Sequence, residues 1–149
     1  MDYYKALEFV NEINNYIPGL YVVGSIRRKE QTIKDVDFIT KRVLEDVIDD
    51  FSLYYGDKMT IVKEGKKYAQ IKVKDEYYKE GSIKIDIWAT ETPTEYRFTR
   101  WLRSMDKGHV IGLCRKAELQ GMRLSTKGLY EDGKPIQVKT LTELKQILL

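Results

Sequence analysis

Two short β-type runs frame a glycine-serine break. Leu20–Val23 stops at Gly24-Ser25, and ten residues separate Gly24 from the point where the chain resumes as Asp35-Val36-Asp37-Phe38-Ile39-Thr40. Side chains alternate along a strand, so Asp35 and Asp37 project to one face while Val36 and Phe38 project to the other. One face of this strand therefore needs a core, and the other carries two carboxylates. A later run repeats the division: Ile83, Ile85 and Ile87 alternate with Lys84, Asp86 and Trp88. An aspartate between two isoleucines is poorly suited to a strand unless it has a task.

The flanking segments supply the cover. Leu7, Val10, Ile13 and Ile17 recur at helical spacing over residues 2–16, and Pro18-Gly19 ends the run. Val43, Leu44, Val47, Ile48 and Phe51 mark a short amphipathic helix. Residues 59–62 and 68–73 read as a hairpin around Gly65. Residues 1–91 are thus expected to form one domain, a mixed sheet with helices.

Residues 92–149 read as a second, smaller lobe. Pro93 suits a helix start, with Thr92 as the capping candidate. That helix has two sides, Arg97, Arg100, Arg103 and Lys107 on one and Phe98, Trp101, Leu102 and Met105 on the other. A further helix is expected over residues 107–120, closing at Gly121. Strands near residues 123–125 and 129–130, a turn at Asp132-Gly133 and a last helix over 141–148, capped by Thr140 or Thr142, complete it. The fold class is α+β, with a mixed β-sheet domain followed by a helix-rich α/β lobe.

Charge distribution separates the two parts. Residues 1–50 carry seven basic and ten acidic side chains, whereas residues 93–127 carry eight basic and three acidic ones. The first part can hold an acidic site, and the later segment suits a polyanion. One cysteine, Cys114, excludes an internal disulfide framework and a multi-cysteine zinc site. One histidine, His109, excludes a His-rich metal centre. No apolar run approaches the ~20 residues of a membrane span, and the N-terminus lacks signal-peptide order. The expectation is a soluble, cytoplasmic or intracellular monomer with no membrane partner. Tyrosines are paired at Tyr3-Tyr4, Tyr54-Tyr55 and Tyr77-Tyr78, near expected loops and element ends, without an assignable role.

Adjacent carboxylates repel, so a cation between them relieves the cost of keeping both ionised. Such hard oxygen donors suit Mg²⁺ or Mn²⁺, held by a few carboxylates together with substrate phosphates. Asp86 is the candidate third carboxylate. Gly24 lets backbone approach a phosphate, the Ser25 hydroxyl can bind its oxygens, and Arg28 can add a charge-assisted contact. An Asp-x-Asp pair alone is commonplace. Joined to the Gly-Ser break, the following arginines and the later strand aspartate, it is specific.

These residues resemble the family X DNA polymerases of the polymerase beta type, within the nucleotidyltransferase superfamily. The superfamily pattern is a Gly-Ser turn followed by Asp-x-Asp, here Gly24-Ser25 and Asp35-Val36-Asp37. Arg27-Arg28 and Lys84-Ile85-Asp86-Ile87 are similar to the polymerase branch, and residues 113–130 resemble its nucleotide-side lobe, called thumb or fingers. The resemblance implies a nucleotidyltransferase palm over 1–91 and a basic lobe over 92–149 that binds nucleotide and DNA. It implies that Asp35 and Asp37 bind two Mg²⁺ or Mn²⁺ ions, and that Asp86 binds the catalytic one and helps deprotonate a primer 3′-hydroxyl. Ser25 and Arg28 would hold the β- and γ-phosphates of a dNTP, with the Gly24 backbone near them. The partners would be DNA primer-template or gapped DNA, contacted by Arg97, Arg100, Arg103, Lys107 and His109.

Two departures accompany the resemblance. The chain starts almost at the palm helix, without the family's lyase and helix-hairpin-helix regions, so the expectation is a minimal, viral-type form of low fidelity. The family's aromatic pair followed by Thr-Gly falls on Leu102-Arg103-Ser104-Met105 when counted back from Gly121, or on Phe98-Thr99 with an insertion. Discrimination against ribonucleotides is accordingly expected to be weak or unusual. The rival readings are a template-independent transferase acting on nucleic acid or a small molecule, and a non-catalytic nucleic-acid-binding module.

Overall fold

Asp2 opens the first helix, its side chain accepting a hydrogen bond from the Lys5 amide at 2.9 Å. The computed structural model that follows from there describes residues 1–74 and 81–149; Tyr77-Tyr78 lies outside the described residues. The chain divides into two compact units, Met1–Glu91 and Thr92–Leu149.

The first unit contains α1 (Tyr3–Tyr16), β1 (Leu20–Val23), α2 (Gly24–Arg27), β2 (Asp35–Thr40), α3 (Leu44–Tyr55), β3 (Met59–Glu64), β4 (Tyr68–Lys74) and β5 (Ser82–Ala89). The strands form one five-stranded sheet in the order β1-β2-β5-β4-β3. Only β2 and β5 pair in parallel; the other neighbours are antiparallel. A parallel pair needs a crossover, and here α3 with the β3–β4 hairpin supplies it.

One face of this sheet is largely apolar. Val36 and Phe38 of β2, Ala69, Ile71 and Val73 of β4, and Ile83, Ile85 and Ile87 of β5 are all inaccessible to solvent. They join Ala6, Phe9, Val10 and Ile13 of α1 and Val47, Ile48 and Phe51 of α3 in a single core. Burial of apolar area at about 25 cal/mol per Å² is what holds helices to sheet here. The α1 stripe runs through Ala6 and Phe9, and Leu7 sits at its margin. The opposite face carries Asp35 and Asp37 on β2, Lys84 and Asp86 on β5, and Tyr68 and Gln70 on β4, as the strand alternation and register require.

The second unit contains α4 (Pro93–Ser104), α5 (Lys107–Leu119), β6 (Met122–Ser125), β7 (Gly128–Glu131), β8 (Lys134–Ile136) and α6 (Leu141–Ile147). Each helix begins on a side-chain cap: Thr92 accepts from the Glu95 amide at 3.0 Å, Asp106 from His109 at 2.9 Å and Thr140 from Glu143 at 3.1 Å. The strands form an antiparallel meander, β6-β7-β8. β8 was not expected from the sequence, because Pro135 argues against a strand. It is tolerated because β8 is the edge of the sheet. Phe98, Trp101, Leu102, Leu113, Ala117, Leu124, Leu129 and Leu144 make this unit's own core. Half-buried Cys114 packs beside it, with burial pushing its thiol up. Among the described residues no helix is long and apolar enough to cross a membrane.

Ile85 is fully buried at the centre of the first core. The expected cost of Ile85→Ala is about 2–5 kcal/mol, read as a lower urea midpoint.

Candidate active site

The parallel register of β2 and β5 sets Asp37 directly beside Asp86, Val36 beside Ile85 and Asp35 beside Lys84. Neighbouring strands lie about 4.8 Å apart, so the Asp37 and Asp86 carboxylates arise from adjacent backbone positions. From the other side β1 sets Val23 beside Asp37. The chain must then leave β1 next to that carboxylate.

Gly24 makes this exit possible. Its φ is +72°, a left-handed conformation, and a Cβ there would lie 2.1 Å from Asp37 Oδ2 and 2.9 Å from its Cγ. Two independent constraints thus require glycine, and backbone packs directly on the aspartate. The sequence suggested a plain turn here; the chain forms the single helical turn α2. Arg28 N–H donates to Gly24 O at 3.0 Å and Glu30 N–H to Ser25 O at 3.1 Å, closing the loop that returns towards β2.

Ser25 is half-buried in α2. Arg28 follows at the end of that turn, its Nε donating to Glu30 Oε1 at 3.1 Å. A surface pair of this kind is worth about 0–1 kcal/mol. Exposed Arg27 stands over the Tyr21 ring at 5.9 Å instead.

Asp86 is 7% exposed. Its Oδ1 accepts hydrogen bonds from the Tyr68 hydroxyl and from Gln70 Nε2, the latter at 3.0 Å. Sequence reasoning assigned no role to either donor. The available signal was parity: Tyr68 and Gln70 alternate with fully buried Ala69 and Ile71 and so share the polar face. Asp35 lies one pleat from Asp37. Burial raises its carboxyl above the usual range, the Asp86 charge raises it further, and Lys84 and Lys34 partly offset both.

Asp35, Asp37 and Asp86 share one face. Among the described residues, however, no three His, Cys, Asp or Glu side chains converge into a ready metal cage. The expected three-ligand cluster is therefore aligned but not closed. This donor set still fits Mg²⁺ or Mn²⁺: Mg²⁺ sites usually draw on one or two carboxylates, with substrate phosphates and water completing the shell. The Asp37–Asp86 pair and the donors fixing Asp86 match that pattern.

In the second unit, Arg97, Arg100 and Arg103 lie half-buried on α4. The expected four-residue basic stripe is corrected at Lys107. The backbone is extended at Met105 and Asp106, so Lys107 begins α5, and exposed His109 follows in its first turn. Phe98 is fully buried, and Thr99 donates its hydroxyl to Thr126 O at 3.3 Å. Both therefore serve the core. The ungapped placement, Leu102 to Met105, covers the end of α4 and its break before α5.

No family model and no curated protein matches the chain. Among solved structures it is similar to polymerase beta of Leishmania infantum in a ternary P/T complex. That match has a TM-score of 0.79 at 15% identity and covers 99% of this chain and 72% of the other. The fold is polymerase beta-like. At this identity the likeness speaks for the fold alone, and it embraces both the five-stranded mixed sheet and the second unit.

The geometry around Gly24 and Asp35 makes two predictions. Gly24→Ala is expected to cost at least about 1–2 kcal/mol from the left-handed backbone alone, and to displace Asp37. Thermal melting measures the first, and the Asp37 NMR signals report the second. Asp35→Asn removes a carboxylate whose ionisation the fold disfavours. Without divalent cations it is expected to raise the melting temperature at neutral pH, and the gain should vanish below about pH 4, where Asp35 is protonated folded or unfolded.

Proposed function

We propose that the chain is a nucleotidyltransferase, a DNA polymerase that adds dNTPs to a primer 3′-hydroxyl. The observation that carries this reading is the in-register pairing of Asp37 with Asp86, with Asp35 on the same face and Gly24 packed on Asp37. Its polymerase beta-like fold supports it.

Two Mg²⁺ or Mn²⁺ ions, when bound, would supply charge stabilisation for the attacking and leaving oxygens of an in-line displacement. Asp35 and Asp37 would hold both ions, and Asp86 the catalytic one. Asp86 also helps draw the proton from the 3′-hydroxyl, whose oxygen attacks the α-phosphate as pyrophosphate leaves. Ser25 and Arg28 receive the β- and γ-phosphates, with Arg28 exchanging its Glu30 contact for a doubly charged partner. The Gly24 backbone leaves room beside Asp37.

Residues 1–91 act as the palm and 92–149 as the lobe meeting nucleotide and DNA. Arg97, Arg100, Arg103, Lys107 and His109 are the proposed contacts to the DNA backbone, a salt-dependent and sequence-independent attraction. The natural task is short-gap filling of low fidelity. With Phe98 and Thr99 committed to the core, weak exclusion of ribonucleotides belongs to the same reading.

The test is single-nucleotide extension of a labelled primer on a one-nucleotide gap, an open primer-template and a single strand, with Mg²⁺ or Mn²⁺. Outer partners of metal ligands typically contribute 10–100-fold, so Asp37→Asn and Asp86→Asn are each expected to lose more than about a hundredfold. Equal addition to the single strand, whatever the template base, would make the chain a tailing enzyme. No addition to any of the three would overturn the reading.

A further inference from the structure

Two side-chain donors converge on Asp86. Both bonds fall on one oxygen, Oδ1. The donors come from one strand: β4 pairs with β5 in a register that sets Gln70 directly beside Asp86 and Tyr68 beside Trp88. The Tyr68 ring is in turn fixed against Trp88, with centroids 5.3 Å apart. On the other side of Asp86, β2 brings Asp37. The carboxylate is thus clamped through Oδ1 from β4, with Asp37 on the neighbouring strand.

We infer that Tyr68 and Gln70 are positioning residues for Asp86: they fix its rotamer, saturate Oδ1 and present Oδ2 to a divalent cation. The inference rests on the proposed metal-binding role of Asp86. The chemistry is that of outer partners of a metal ligand. A buried carboxylate beside a second carboxylate would otherwise turn away from it, and two hydrogen bonds to an ionised acceptor are about twice as strong as neutral ones. A neutral hydroxyl and a neutral amide suit this task. A lysine or arginine in either place would neutralise the charge the cation needs, whereas these donors orient the carboxylate and leave its charge intact.

The variants are Tyr68→Phe, which keeps the ring against Trp88, and Gln70→Leu, which keeps side-chain bulk. Mn²⁺ affinity of the nucleotide-free protein is measured by electron paramagnetic resonance titration, alongside thermal melting and primer extension. Loss of an outer partner is expected to weaken Mn²⁺ binding about 10–100-fold in each variant. In extension, kcat is expected to fall while the KM for nucleotide stays, because Ser25 and Arg28 are untouched. A merely structural role would lower the melting temperature and leave the Mn²⁺ affinity of the folded protein unchanged. Wild-type Mn²⁺ affinity in both variants, or no Mn²⁺ binding by the parent, overturns the inference. If one variant fails to fold, the other decides.

The two readings separate cleanly. A parent that binds Mn²⁺, loses affinity on Tyr68→Phe and extends no primer keeps the positioning role and removes the polymerase. A parent that extends primers, with both variants equal to it in affinity and rate, keeps the polymerase and removes the positioning role.

Discussion

The parallel pairing of β2 with β5 is the constraint on which the rest of the first unit depends. A shift of one residue would move every side chain of a strand to the opposite face. Val36, Phe38, Ile83, Ile85 and Ile87 fix the register because all must reach the helix-covered face. The same requirement sends Asp37 and Asp86 to the other face as neighbours. Core and site are therefore two consequences of one register. Like charges placed side by side cost free energy, and the apolar burial on the opposite face offsets it.

The elements around that pair answer the cost locally. Tyr68 and Gln70 give Asp86 two hydrogen bonds, and Lys84 stands beside Asp35 in the sheet. Gly24 removes the one side-chain atom that would collide with Asp37. The site is polar, with Asp86 buried and Asp35 and Asp37 half-buried. Under the proposed function, a divalent cation there would be shared with phosphate oxygens and water.

Much of this was legible in the residues because alternation is a local property. Asp35, Asp37 and Asp86 declare their face through their apolar neighbours, and the bounds of β1 and β2 follow from Gly24 and from the return of apolar alternation. What was not legible depends on pairing across distance. That Gln70 lies beside Asp86 follows from the β4–β5 register, which no single stretch contains. The helical turn at residues 24–27 depends on hydrogen bonds to Gly24 and Ser25 carbonyls. β8 escaped because Pro135 is excluded from a strand interior but allowed at an edge. The break that removes Lys107 from the α4 stripe comes from Asp106, a cap residue whose preference for ending one helix and starting another outweighs the charge periodicity.

The proposed cation site at Asp37 and Asp86 depends on the β2–β5 register. Paramagnetic broadening of backbone amide signals on adding substoichiometric Mn²⁺ tests it most directly, because the ion reports its own location. The account predicts that broadening begins at Gly24, Asp37 and Asp86, extends to Asp35, and leaves the α1 and α3 signals for last. Broadening centred elsewhere, or none at saturating Mn²⁺, would contradict it.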